Sequence, residues 1–304
     1  MKLLSYRGRD GLDRVGVFAD GMVREVSPDR AAGPAGLSPM RRLIAASGAL
    51  AGDVPLADGP GVPLDEVRVL PPVPDPTKIV AAPVNYVDHQ AEMSQSVHVG
   101  SLGVFLKAPS SLIGAGDVVR LPYTDRRFDQ EGELAVVIGR TARGVSAADA
   151  LSHVFGYTCL LDITMRGGED RSTRKSFDTF TPMGPWLVTP DEVGPLETLR
   201  LTCSVNGTLR QDADVRDLIW DVPALIEYVS SVMTLHPGDV ISTGTPAGVG
   251  AIHDGDSVTA AVTRVGELTV GVSAAGAVTC PTLGAGAGPV PPAELTPVRA
   301  RTAN

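Results

Sequence analysis

Glu131, Gly132 and Glu133 open the run Glu131–Gly139, whose remainder, LAVVIG, is apolar, partly β-branched and closed by glycine. That pattern predicts a strand. Side chains two apart on a strand share a face, so the two carboxylates point together at the mouth of an apolar strand. Like charges held side by side raise one another's pKa unless something positive lies between them. A hard divalent cation does this, because such ions prefer oxygen ligands; two solvated acids at a strand end are the plainer alternative. A third acid, Asp162, ends the apolar run Tyr157–Leu161, and a carboxylate there needs a partner. Three such groups carry −3, which a divalent ion and one nearby cation would neutralise. Lys175, in RKSFD, is a candidate for that cation, or else an ordinary surface lysine.

Two further groups of residues could do chemistry. In NYVDHQAE, His89 and Glu92 are three apart and share a helix face. A carboxylate that orients an imidazole makes a general-base module; a solvated His–Glu pair is the alternative. Gly100 and Gly103 follow and would suit a lid that closes over a site. In STGTPAGVG, Ser242–Gly250, small residues and free N–H groups after a strand make an anion-accepting turn. No GK[ST] follows, so this is not a phosphate loop. It suits a small carboxylate, or is a plain Gly/Pro turn.

The elements that must position these groups are short. Glycine (34) and proline (25) are plentiful and aromatics few (4%), which fits strands and turns better than a helical bundle. Residues 14–18 and 22–26 flank Ala19-Asp20-Gly21, a hairpin signal. A helix follows, with Ser38 as N-cap, Pro39 at N1, and Leu43 and Ile44 facing inward. Four prolines in residues 70–76 exclude a helix or central strand there. The expected organisation is a small N-terminal domain (1–70), a Pro-rich linker (71–77), a main domain (78–275) and a tail, 284–304, expected to be disordered. In the main domain, residues 78–82, 104–107, 157–163 and 239–242 read as strands. Asp221, Pro223 and the spacing of Leu225, Ile226, Val229 and Met233 give an amphipathic helix.

The charge balance, 26 Lys+Arg against 35 Asp+Glu, leaves −9. Without a basic stripe this argues against nucleic acid and anionic membranes as partners. Cys159, Cys203 and Cys280 are far apart, so neither a zinc knuckle nor a disulfide framework is indicated. The N-terminus has no signal-peptide core and no apolar run spans a bilayer; a soluble cytoplasmic protein is the default expectation.

Taken in order, NYVDHQAE, VFLKAPSSLIGAGD, EGELAVVIG, GYTCLLDIT, KSFDTFTPMGPW, VNGTLRQ and LHPGDVISTGTPAGVG resemble the fumarylacetoacetate hydrolase superfamily over residues 78–272. The resemblance implies a β-rich α+β fold, a mixed β-sandwich roll with a small N-terminal α+β domain, and a homodimer. It implies that Glu131, Glu133 and Asp162 bind Mg²⁺ or Mn²⁺, with Ca²⁺ able to take the site in a crystal. His89 and Glu92 match a catalytic dyad on a mobile lid, and Lys175 the lysine beside the metal. Thr245, with Gly244, matches the loop that holds the substrate carboxylate; Gln211 and Arg166 fall near the pocket. Two positions depart from the pattern: Pro83 stands where many members have glycine, and Gly167 follows Arg166 where an Asp often does.

The family's substrates are small 2-oxo acids and β-diketones. The reading ranked first is metal-dependent hydrolysis of a C–C bond in an acylpyruvate or fumarylpyruvate type of acid through an enolate. The same enolate serves 2-hydroxyhepta-2,4-diene-1,7-dioate isomerases, oxaloacetate decarboxylases and tautomerases. A non-catalytic metal- or ligand-binding domain would show a broken ligand set or dyad, and all five positions are intact.

Overall fold

The computed structural model describes residues 1–29, 33, 35–48 and 54–298. Its main sheet runs, in spatial order, Val62–Pro63, Met22–Glu25, Asp13–Ala19, Lys2–Arg7, Thr181–Val188, Val154–Leu161, Gly132–Ile138, Val240–Ser242, Ile79–Ala81, Phe105–Lys107. A second sheet, Thr208–Asp214, Arg200–Val205, Ser257–Val262, Gly266–Ser273 and Val118–Arg120, packs on one face of it. The result is the mixed β-sandwich expected from the resemblance.

The strand that begins with Glu133's neighbours is central because both of its faces are apolar. Leu134 and Val136 pack with Leu201, Cys203, Leu268 and Val270 of the second sheet. Ala135 and Val137, of the other parity, pack with Met40, Leu43 and Ile44. Those three belong to the helix Pro39–Ser47, whose first turn is closed by the Ser38 hydroxyl accepting from Arg41 N. Full burial of such side chains contributes about 1.5–3 kcal/mol each, so the middle layer is held from both sides.

The N-terminal residues do not hang from the proline-rich segment alone. Lys2 and Leu3 pair with Val188 and Leu187, so the N-terminal strands extend the main sheet. Their hairpin turns at Asp20 and Gly21, both at positive φ (51° and 77°), a two-residue loop whose twist matches its strands. The segment after 284, expected to be disordered, is described through residue 298. It lies against the main domain, with Gly168 N donating to Gly284 O at 3.0 Å. Residues 299–304 of that expectation, with 30–32, 34 and 49–53 of the N-terminal one, lie outside the described residues. Among the described residues no helix is long and apolar enough to cross a membrane. The three cysteines are free and buried.

Candidate active site

Strand register assembles the acids. Gly132 pairs with Leu161 and Glu133 with Leu160, and Asp162 N donates to Glu131 O at 2.8 Å. The pairing therefore continues one residue past the strand and sets Glu131 opposite Asp162. Opposite residues of an antiparallel pair share a face, and Glu133, two along, shares it too. Ligand oxygens of all three lie within 4.8 Å of one another, and the residues are only 4%, 1% and 1% exposed.

Cations hold two of these acids. Lys175 Nζ donates to Glu131 Oε2 at 2.6 Å and to Asp162 Oδ2 at 2.5 Å. Arg166 reaches Glu131 Oε1 at 2.8 Å and Asp129 Oδ2 at 2.6 Å. Burial alone would push the Glu131 carboxyl up, but the Lys175 and Arg166 charges outweigh it and hold it well below the usual range. Glu133 differs. Its Oε2 accepts from the Ser242 hydroxyl and from Gly244 N, both uncharged. Burial, then the Asp162 charge beside it, pushes Glu133 up to about 8. It is the carboxylate that an additional positive charge would serve most. A donor set of three buried carboxylates, without sulfur or imidazole, fits a hard divalent ion.

His89 of the expected dyad faces the same cavity. His89 Nδ1 lies 2.9 Å from Glu92 Oε2. Glu92 also accepts from Gly248 N at 2.8 Å and from the Thr296 hydroxyl. Burial would raise the Glu92 carboxyl, yet these hydrogen bonds, His89's first, bring it below its ordinary value. With Nδ1–H donating to Glu92, the Nε2 lone pair is left for the cavity. Asn85 sets where this helix starts: fully buried, it donates to Trp220 O and Thr243 O and accepts from Trp220 N. The cavity is lined by His89, the three acids, Lys175, Thr245 and Arg166, among others, with Pro289 of the C-terminal segment in its wall. Its volume is about 40 Å³. That is room for an ion and a few waters, at one water per roughly 10–15 Å³.

A family model, the C-terminal domain of fumarylacetoacetate (FAA) hydrolase, matches residues 78–273. The chain belongs to the fumarylacetoacetate hydrolase family. A maleylpyruvate hydrolase of Aquipseudomonas alcaligenes is 47% identical over 228 residues, 71% of this chain and 79% of that one. The oxaloacetate tautomerase YisK of Bacillus subtilis is 40% identical over 220 residues, 68% of this chain and 73% of that one. Among solved structures, maleylpyruvate hydrolase from Sphingobium sp. SYK-6, in complex with manganese(II) and pyruvate, has a TM-score of 0.76 and 38% identity. It covers 92% of this chain and 100% of that one.

Within this fumarylacetoacetate hydrolase fold, the residues expected to touch substrate separate into two groups. Thr245 and Arg166 line the cavity. Gln211 is not among the lining residues. Fully buried, it accepts from Gly132 N at 2.8 Å and donates to Thr245 Oγ1 at 2.7 Å and Pro246 O at 2.8 Å. It thus ties the loop to the strand that carries the acids. Gly244 spends its N–H on Glu133, as above. It sits at φ 93°, and a Cβ there would lie 2.8 Å from Asn85 Cβ.

Lys107 was not singled out from sequence, although it stands within VFLKAPSS. It is 1% exposed, and its ammonium donates to Asp162 Oδ1, to Lys175 O at 2.6 Å and to Phe180 O at 3.1 Å. Asp162 is thereby held from both sides. The available signal was a lysine closing a strand inside a motif.

Gly248 N holds Glu92, and the position tolerates nothing larger. At φ 99°, a Cβ would lie 1.9 Å from Arg210 O, a backbone atom. Gly248→Ala is expected to cost on the order of 1–3 kcal/mol in backbone strain, plus the clash. Gly207→Ala is the control: φ is 75° and nothing lies within 4 Å. Thermal melts should show a clearly larger loss for Gly248→Ala; equal losses would contradict the steric account.

Proposed function

We propose that the chain is a metal-dependent hydrolase that cleaves a carbon–carbon bond in an acylpyruvate-type 2-oxo acid. The observation that carries this is one buried cavity lined by three carboxylates, by Lys175 and by a His89 imidazole backed by Glu92. The support from relatives is the hydrolase at 47% identity and the manganese–pyruvate complex of a similar fold.

Glu131, Glu133 and Asp162 hold the ion, Mg²⁺ or Mn²⁺, which when bound supplies Lewis acidity to a 2-oxo acid. Thr245 orients the substrate carboxylate. His89 Nε2 takes a proton from water, and Glu92 stabilises the imidazolium that results. The hydroxide adds to the distal carbonyl. The bond to the methylene carbon breaks, and its electron pair passes into the pyruvyl half as an enolate. Lys175 places positive charge where that charge develops, which is where preorganised electrostatics act most. The proton on His89 returns to the enolate carbon. Water and the acylpyruvate thus yield a carboxylic acid and pyruvate.

The 40% identity to an oxaloacetate tautomerase favours a second reading, in which His89 shuttles a proton on an enolisable 2-oxo diacid without water attack. A cytoplasmic homodimer belongs to the first proposal through the family resemblance. The test is an assay panel of acetylpyruvate, fumarylpyruvate, 2-hydroxyhepta-2,4-diene-1,7-dioate and oxaloacetate with Mn²⁺ or Mg²⁺, with and without chelator, and with products identified. Chelator-sensitive release of pyruvate from an acylpyruvate is expected. Tautomerisation, isomerisation or decarboxylation with no acylpyruvate cleaved would overturn the hydrolase reading.

A further inference from the structure

Glu92 is held in part from outside the family domain. That domain ends at residue 273, and Thr296, 204 positions along the chain from Glu92, bonds Glu92 Oε1 through its hydroxyl. A carboxylate only accepts, so the hydroxyl is the donor. The other contacts to Glu92 come from within the domain: Gly248 N donates to Oε1 at 2.8 Å, and His89 Nδ1 lies 2.9 Å from Oε2. One donor on Oε1 lets the carboxylate pivot about that contact. A second, arriving from a distant segment, removes that freedom and fixes where Oε2 points. The Glu92 side chain is 1% exposed, so solvent has little access to replace a lost donor. Among the contacts that keep Glu92 ionised against its burial, the Thr296 hydroxyl comes directly after His89.

The segment that brings Thr296 there is pinned along its course. Arg126 donates to Thr282 O at 2.6 Å, the Thr282 hydroxyl bonds Glu169, and Gly168 N donates to Gly284 O at 3.0 Å. Gly288, at φ 80°, packs so closely that a Cβ there would lie 2.5 Å from Gly167 O. Pro289 then enters the cavity wall, and Pro291 is buried. Leu295 lies against Gly250, where a Cβ would be 2.6 Å from the leucine Cδ2. Gly250 ends the loop whose Gly248 also holds Glu92. The stretch has little apolar area to offset the cost of ordering its backbone, so such specific contacts carry its placement.

We propose that Thr296 is a positioning residue for the His89–Glu92 dyad: its hydroxyl fixes the Glu92 carboxylate so that Oε2 faces His89 Nδ1. A segment beyond the family domain thereby completes the site. The inference rests on the reading of His89 as the group that takes the proton and deepens it. Thr296 acts through Glu92 alone. It orients the imidazole by orienting the carboxylate behind it, and so affects proton transfer and not the binding of substrate.

The first readout is the imidazole N–H of His89, followed by proton NMR on the intact protein in chelator, without substrate. The wild type should show a downfield, exchange-protected signal that disappears in His89→Asn. Thr296→Val, which keeps the side-chain shape and loses the hydroxyl, should exchange that proton with water about 3- to 10-fold faster, the worth of one hydrogen bond. Thr296→Ser restores the hydroxyl and should stay close to the wild-type rate. The second readout is steady-state kinetics on the substrate the assay panel identifies. Thr296→Val should lower kcat by about 3- to 10-fold and leave KM nearly unchanged, and Thr296→Ser should recover kcat. Unchanged exchange in Thr296→Val would overturn the proposal, as would a kcat loss that Thr296→Ser does not recover. A wild type without the His89 signal would overturn the dyad itself and the proposal with it, so that failure is told apart from a failure of Thr296 alone.

Discussion

Glu133→Gln is expected to abolish metal-dependent turnover while leaving the metal-free fold intact. Among the described residues Glu133 has no cationic partner; its carboxylate accepts from Ser242 and Gly244 N. Glutamine keeps an acceptor oxygen for those donors and leaves no buried charge without its partner. What is lost is one of the three proposed anionic ligands. The wild type should melt higher when Mn²⁺ is added, because a ligand that binds only the folded state stabilises it by mass action. Glu133→Gln should lose most of that rise and match the wild type in chelator. Asp162→Ala should behave differently. It leaves Lys107 without its carboxylate and Lys175 with Glu131 alone, both lysines being buried, and breaking a buried pair from one side costs about 3–5 kcal/mol. Its melting temperature should fall even in chelator. A Mn²⁺-dependent rise of wild-type size in Glu133→Gln would defeat the ligand assignment.

His89→Asn is expected to lower kcat by about 10²–10⁴-fold, the usual worth of a positioned general base, with a much smaller change in KM. Asparagine can still hydrogen-bond Glu92, so the local structure survives while the basic nitrogen goes. Glu92→Gln should cost less, because the imidazole remains and only its orientation and the stabilisation of its charged form suffer. Steady-state kinetics of both variants on a cleaved acylpyruvate check this. Full activity in His89→Asn would remove the residue from the reaction and leave the acids and Lys175 to carry it.

Much of the site was legible because it depends on local pattern. A period of two put Glu131 and Glu133 on one face, and a spacing of three put His89 and Glu92 on one helix face, where their side chains lie 2.9 Å apart. Capping chemistry at Ser38 and the Asp20-Gly21 turn could likewise be read from a few adjacent residues. Lys107 escaped because its partner, Asp162, is 55 positions away, and a lysine gives no local sign of burial. Gln211 was expected near the pocket; that it reaches the loop through Thr245 and not as a lining residue depends on packing.

The sequence by itself picked out the candidate groups: which acids, which imidazole and which strands carry them, because alternation and short spacing follow from backbone geometry alone. Tertiary structure decided charge balance. Only long-range pairing shows that Glu131 and Asp162 have cations and that, among the described residues, Glu133 has no cation and Arg174, in the same cavity, no carboxylate within ion-pair distance. The position of residues 284–298 was decided there too, with Pro289 in the cavity wall and Thr296 on Glu92. The physical reason is that the cost of burying a charge depends on what lies within a few ångströms in space, and most of those neighbours are distant along the chain.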